Sequence, residues 1–96
     1  MKIKVSDYIA KRLVQEGITH VFSVTGGGAM HLNDGLGHEP GLTCIYNHHE
    51  QACAIAAESY ARLHNTIAAV CVTTGPGGTN AITGVLGGYL DSIPML

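Results

Sequence analysis

The sequence predicts an α/β fold in which a parallel sheet is wrapped by helices, in the manner of doubly wound proteins. Short β-prone runs alternate with helical segments, and glycine-rich turns follow two of those runs. The most apolar run, IAAVCV at 67–72, has the length of a strand and suits one that is buried on both faces. This alternation favours a parallel sheet, because parallel neighbours need crossover helices.

The first half of the chain predicts two helices and two strands. Residues from Val5 to Val14 carry apolar side chains at helical spacing, and Gly17 ends that helix. The run HVFSV at 20–24 is β-prone and leads directly into Gly26–Gly28. We expect a second helix over about residues 29–36 and a second strand over 42–46.

The second half predicts a helix over 50–63, the apolar strand at 67–72 and a helix from about Thr79 to Leu90. The glycine-rich segment Gly75–Gly78 separates the last two. Residues 93–96 resemble the start of a fourth strand, since Pro is tolerated at a first strand position. We therefore expect a sheet that is incomplete at the C-terminus, and residues 1–96 to be a partial domain of a longer protein.

Composition argues against several classes of partner. The chain has five Lys+Arg and seven Asp+Glu, which give a net charge of −2, and its basic residues form no patch. Nucleic acids and anionic membranes are therefore poor candidates for binding partners. Charged residues make up 12% of the chain against roughly 25% in a typical domain. Much of the surface is therefore expected to be covered. No run approaches the ~20 apolar residues of a membrane span, and the start lacks a signal-peptide core. These features predict a cytoplasmic protein.

The cysteines and histidines do not predict a metal site. Cys44, Cys53 and Cys71 lie in apolar runs without C-x-x-C spacing, so we expect buried free thiols. His48, His49 and Glu50 are adjacent, but neighbouring side chains in an extended loop diverge and the spacing suggests no third ligand.

The two glycine turns are candidates for a binding edge. Each lies between a strand and a helix, where open α/β sheets bind their ligands. Neither is a familiar phosphate cradle: the first has His31 at the sixth position of G-x-G-x-x-G, and the second lacks the G-K-[ST] ending. Tight turns without a ligand are the alternative.

Two helices carry strips of small residues. Gly84 and Gly88 are four apart in the last helix, and each internal glycine costs about 1 kcal/mol relative to Ala. The helix that begins at residue 50 has a similar strip at Ala54, Ala57 and Ala61. Such faces indicate close helix–helix contact, either within the domain or between subunits.

Glu50 stands at a predicted helix start, ahead of small apolar residues. A helix N-terminus stabilises a carboxylate by about 0.3–1 kcal/mol, whereas burial in an apolar pocket favours the neutral acid by more. A dry carboxyl here could share or donate a proton near neutral pH. The alternative is an ordinary helix-start acid.

Three stretches carry a resemblance to a known family. They are "VSDYIAKRLVQEGITHVFSV", "NHHEQACAIAAESYAR" and "TTGPGGTNAITGVLGGYLDSIPML", which together cover most of the chain. The block H-E-Q with A-x-x-A-x-x-Y-A-R, followed by T-x-G-P-G-x-x-N, is specific in combination. The chain resembles the N-terminal pyrimidine-binding (Pyr) domain of thiamine-diphosphate-dependent enzymes, in the acetolactate synthase and pyruvate oxidase branch. It differs from the common family pattern at Thr25, where Pro is frequent, and at Ser23, where Gly is frequent.

The resemblance implies roles for individual residues. Glu50 is the catalytic acid that hydrogen-bonds N1′ of the cofactor's aminopyrimidine and favours the 4′-imino tautomer, which removes the C2 proton of the thiazolium. The residues that line the aminopyrimidine side are Thr25, Gly26, Gly27, Thr74, Gly75, Pro76, Gly77 and Asn80.

The resemblance also implies partners. The cofactor, thiamine diphosphate with Mg²⁺, lies between subunits of a homo-oligomer (a dimer or tetramer), and a missing domain binds the metal. The substrate is a 2-keto acid such as pyruvate, which is decarboxylated before carbanion transfer. The chain is then a cofactor-activating half-site, expected to be inactive alone. The alternative is a non-catalytic interaction or regulatory domain that keeps the fold.

Overall fold

The computed structural model describes the chain from Met1 to Leu96. Helices and strands alternate in the predicted order, and a short 3-10 turn at Gly27–Ala29 leads into the second helix. The elements are α1 (Val5–Gln15), β1 (His20–Ser23), α2 (Met30–His38), β2 (Thr43–Tyr46), α3 (Glu50–His64), β3 (Ala69–Cys71) and α4 (Pro76–Leu90). None of these helices is long and apolar enough to cross a membrane.

The strands form one parallel sheet in the order β2-β1-β3. Ser23, at the end of β1, pairs with Tyr46 on one side and with Cys71 on the other. Met95 bridges Ala68 in parallel at the outer edge of the sheet. The predicted fourth strand is therefore present as a single bridge. The winding reverses between β1 and β3, which makes their junction the topological switch point of the sheet.

Two hydrophobic clusters lie on opposite faces of the sheet, as the doubly wound prediction requires. One joins α1 and α2 to the sheet and the other joins α3 to it. Their buried members are Ala10, Leu13, Ile18, Val21, Ala29, Leu36, Ala69 and Cys71 in the first, and Phe22, Cys53, Ala57 and Ala68 in the second. The α/β prediction is confirmed. Cys53 and Cys71 are buried free thiols as predicted, whereas Cys44 is only half-buried.

Helix α4 packs against α3 through small residues. A Cβ added at Gly84 would lie 2.5 Å from Ala54 Cβ and 3.0 Å from the Gln51 carbonyl oxygen, so the helices approach to backbone distance. Ala54, Ala57 and Ala61 are buried on the facing side of α3. Arg62 donates hydrogen bonds to Glu58 and Asp91, which joins the C-terminal ends of the two helices. The contact predicted from the small-residue strips is thus formed within the chain.

The start of α4 differs from the sequence prediction. The helix begins at Pro76 and not near Thr79, so most of the predicted glycine loop is its first turn. Gly75 is the N-cap with φ +64°, a left-handed conformation that suits glycine. Pro76 occupies the first helical position, where its missing N–H costs no hydrogen bond. Gly75 and Pro76 therefore form the start of the helix, and they are not part of a loop that precedes it.

Substituting glycines in α4 tests the packing of the two helices. Gly84→Ala should lower the free energy of unfolding by about 1–3 kcal/mol, because the new methyl meets the α3 backbone. Gly87→Ala is the matched control: its Cβ meets only the Glu58 carboxylate oxygen, at 3.6 Å. That substitution should stabilise by about 0.5–1 kcal/mol through helix propensity. Urea unfolding measures both, and equal effects would contradict the packing described here.

Candidate functional site

The candidate site lies at the carboxyl ends of β1 and β3, on the two sides of the switch point. The Thr25–Gly28 segment leaves β1 there, and Thr73 and Thr74 lead from β3 into α4. Open α/β sheets form their ligand-binding crevice at this position, because the connections leave in opposite directions. The fold thus brings both predicted glycine turns to one edge.

A buried polar group joins the two strands beneath this edge. Ser23 is 2% exposed, and its hydroxyl donates to the Cys71 carbonyl oxygen at 2.8 Å and lies 3.4 Å from Asn33 Oδ1. The Cys71 thiol also points to Asn33 Oδ1, at 3.6 Å. Burial raises the pKa of that thiol, which keeps it a neutral donor. Ser23 therefore ties β1 to β3.

Thr73 fills the space between the two turns. A Cβ added at Gly26 would lie 2.5 Å from Thr73 Cβ, and one added at Gly77 would lie 2.9 Å from Thr73 Cγ2. Real Cβ atoms are not found so close to other atoms, so these two positions have room only for glycine while Thr73 keeps its place. Thr73 is the first residue of the T-x-G-P-G pattern, but it was not among the predicted site residues.

Glu50 is the first residue of α3, as predicted. His49 caps the helix, and its Nδ1 accepts a hydrogen bond from the Gln51 N–H at 3.0 Å. The Asn80 side-chain amide donates to Glu50 Oε2 at 3.2 Å. The other oxygen, Oε1, lies 3.7 Å from a Cβ built at Gly77. The carboxylate therefore meets the first turns of both α3 and α4, whose N-terminal dipoles favour negative charge.

The chain alone does not shield the Glu50 carboxylate from water. The residue is half-buried, and its bond to Asn80 is solvent-exposed. The reason is geometric: the first turn of α4 covers one side of the carboxylate, and no element of the chain covers the other. Enclosure of the Glu50 carboxyl by a bound group therefore stays a prediction.

The remaining predicted residues lie around this open side. Thr25, Thr74 and Asn80 are exposed. Added Cβ atoms at Gly27 and Gly75 would meet nothing within 4 Å, so both glycines border open space. Gly77 is buried between Thr73 and Glu50. The structure therefore brings Gly26 and Gly77 against Thr73, and Gly77 and Asn80 against Glu50, whereas Thr25 and Gly27 form the rim.

No cavity of the chain is lined by Glu50. An apolar cavity of about 130 Å³ lies on the α1–α2 face of the sheet, behind β3. A shallow depression of about 300 Å³ is lined by His49, Gln51, Ala52 and Ile55, next to Glu50 on the outer side of α3. No three His, Cys, Asp or Glu side chains converge as a metal site would require.

Glu50 Oε1 has no hydrogen-bond partner within the chain, so this edge of the sheet offers a free carboxylate oxygen to a bound group. Such an oxygen can accept a hydrogen bond from, or share a proton with, a polar group of a ligand, and the bordering glycines leave room for close approach. Basic side chains do not line this edge. The fold and the site define an α/β domain that presents an acid at a ligand-binding switch point.

Comparison with known sequences identifies the family. The profile described as "Thiamine pyrophosphate enzyme, N-terminal TPP binding domain" matches residues 3–96. The chain belongs to this family, as its motifs predicted.

Similar proteins come from bacteria and plants. The chain is 42% identical over 91 residues to the acetolactate synthase large subunit of Buchnera aphidicola subsp. Schizaphis graminum, which covers 95% of this chain and 16% of the relative. It is 39% identical over 95 residues to the same subunit of Haemophilus influenzae, covering 99% and 17%. With acetolactate synthase 2, chloroplastic, of Nicotiana tabacum it shares 36% identity over 93 residues, covering 97% and 14%. The chain thus spans about a sixth of the length of these curated relatives.

Proposed function

We propose that residues 1–96 are part of the N-terminal domain of a longer thiamine-diphosphate-dependent enzyme that acts on 2-keto acids such as pyruvate. The observation that carries this proposal is the position of Glu50 at the switch point, beside the first turn of α4 and held by Asn80. The family match and the acetolactate synthase relatives support the same reaction class: decarboxylation followed by transfer of the remaining carbon unit.

The residues present fit the aminopyrimidine end of the cofactor. When bound, thiamine diphosphate supplies the carbon nucleophile and the electron sink for the decarboxylation. In this proposal Glu50 holds a proton at N1′ of the ring, and Asn80 fixes the orientation of the carboxyl. Thr25, Gly26 and Gly27 border one side of the ring, and Thr74, Gly75, Pro76 and Gly77 border the other.

The residues present do not fit the diphosphate and Mg²⁺. Magnesium prefers oxygen ligands in near-octahedral geometry, and the carboxylates of this chain do not converge. We therefore assign Mg²⁺ and the diphosphate to residues outside the chain. We also propose a cytoplasmic location, which suits the three free cysteines.

Replacing Glu50 tests the catalytic assignment in the full-length enzyme. Glu50→Gln keeps an oxygen for Asn80 but cannot exchange a proton, so kcat should fall at least about 10²-fold. The melting temperature should stay unchanged or rise, since a carboxylate enclosed by cofactor costs stability. Glu58→Gln, two turns along the same helix, is the control and should retain activity. Near-normal turnover of Glu50→Gln would favour the non-catalytic alternative.

An apolar stripe on α4 supports the proposed homo-oligomer. Ile82, Val85, Leu86, Tyr89 and Leu90 recur at the spacing of one helix face and are between 44% and 77% exposed. The helix contains no charged residue. Two copies of this stripe can therefore meet without repulsion between like charges, and we assign the stripe to contact with a second subunit.

A charge on the stripe should weaken this contact. Leu86→Asp would place an unpaired carboxylate in a subunit interface, at a cost of several kcal/mol, and should shift the full-length enzyme towards smaller species in sedimentation velocity. Leu63→Asp is the control, since Leu63 is 82% exposed on α3 outside the stripe. An unchanged oligomer after Leu86→Asp would contradict the assignment.

The 96 residues alone should not bind the cofactor appreciably. The ring end offers a few hydrogen bonds worth about 0.5–1.5 kcal/mol each, and association costs at least about 4 kcal/mol. Titration calorimetry of the chain with thiamine diphosphate and Mg²⁺ measures this directly. Micromolar binding to a monomer would show that the chain is more than a half-site.

A further inference from the structure

We propose that Thr73 is the positioning residue of the candidate site. Its side chain sets the distance between the turn after β1 and the first turn of α4, and thereby places Glu50 relative to a group bound between them. The nature of the bound group rests on the proposed function. The placement of Thr73 rests on contacts within the chain.

Thr73 touches both walls of the site with one short side chain. It follows β3 at the switch point and is half-buried. On the β1 side, a Cβ built at Gly26 would lie 2.5 Å from its Cβ and 2.6 Å from its Cγ2. On the α4 side, a Cβ built at Gly77 would lie 2.9 Å from the same Cγ2. The Cγ2 methyl is thus shared between the two walls.

The α4 wall carries this placement to Glu50. Glu50 Oε1 lies 3.7 Å from a Cβ built at Gly77. Asn80, less than one turn further along α4, donates to Glu50 Oε2 at 3.2 Å. A shift of the first turn of α4 towards β1 would therefore move both neighbours of the carboxylate. Thr73 opposes that shift by occupying the space.

The chemistry of threonine suits this role. Two substituents on Cβ restrict χ1, so the side chain is a stiff spacer. The hydroxyl makes no hydrogen bond within the chain and lies only near the β1 turn, whereas the Cγ2 methyl lies within 3.0 Å of the Cβ positions built at both Gly26 and Gly77. The positioning role of Thr73 therefore depends on the shape of its side chain and not on its hydroxyl. Serine would keep the Cβ and hydroxyl contacts with the β1 side and lose the Cγ2 methyl that also meets the α4 side, whereas valine would keep that methyl and lose the hydroxyl.

Three variants of the full-length enzyme separate shape from polarity. A misplacement of about 1 Å can cost about 10²-fold in rate, so Thr73→Ser, which permits a smaller shift, should lower kcat about 10-fold. It should also weaken thiamine diphosphate binding in calorimetry, with the KM for the 2-keto acid unchanged. Thr73→Val should recover most of both losses. Thr43→Ser, the same change at an exposed position of β2, should match the unsubstituted enzyme.

A size swap tests the contact itself. Gly77→Ala should weaken cofactor binding, because its methyl meets Thr73 Cγ2 at 2.9 Å. Adding Thr73→Ser removes that methyl group, and the next atom, Thr73 Cβ, is 3.6 Å away. The double variant should therefore bind the cofactor more tightly than Gly77→Ala alone, although each single change weakens binding.

The outcomes are distinguishable. Equal behaviour of Thr73→Ser and Thr43→Ser, or a Thr73→Val variant as impaired as Thr73→Ser, would overturn the positioning role. If the unsubstituted full-length enzyme bound no thiamine diphosphate, the proposed function would fall. Urea unfolding of the size-swap variants would then test the role of Thr73 as a spacer. A double variant more stable than Gly77→Ala alone would support that role, and one no more stable would overturn it.

Discussion

The contact between Gly84 and Ala54 is the constraint on which the candidate site depends. Helix α4 lies on α3, and Gly84 lets it approach to backbone distance. That approach brings the first turn of α4 to the first residue of α3, since the two helices run side by side over fifteen residues each. From there the Asn80 side-chain amide donates to the Glu50 carboxylate. A larger side chain at either position of the contact would separate the acid from its partner.

The same geometry explains how the fold accommodates the Glu50 carboxylate on a surface that has few charged residues. Two helix N-termini meet at Glu50, and each carries about half a positive charge from its unpaired N–H groups. Asn80 adds a directed donor. An acid at the start of an isolated helix would be stabilised only by the N-terminus of its own helix. The fold adds the stabilising effect of a second helix N-terminus. The open side then decides what the acid can do, because a group that covers it would also remove water from the carboxylate.

Much of the fold could be predicted because periodicity and glycine placement are local signals. The helix start at Glu50 and the strand Ala69–Cys71, which lies within the longer predicted run 67–72, follow from side-chain patterns within a few residues. The start of α4 was missed since Gly75-Pro76-Gly77 resembles a chain break, and only the φ of Gly75 shows that it is an N-cap. Ser23 and Thr73 were missed for another reason. Their importance depends on which segments face each other across the sheet, as in the bond from Ser23 to Cys71, 48 residues away.

The exposure of Glu50 could not be predicted, because it depends on surfaces that these residues do not supply. The exposure of the apolar stripe on α4 could not be predicted either. Leu86 and Tyr89 are exposed, although Gly84 on the same helix is buried. An inward face of small residues and an outward face of large ones suit a helix that is covered on both sides. Under the proposed function a second subunit covers the stripe on the outward face of α4, and the bound cofactor covers the open side of Glu50 on the face towards α3.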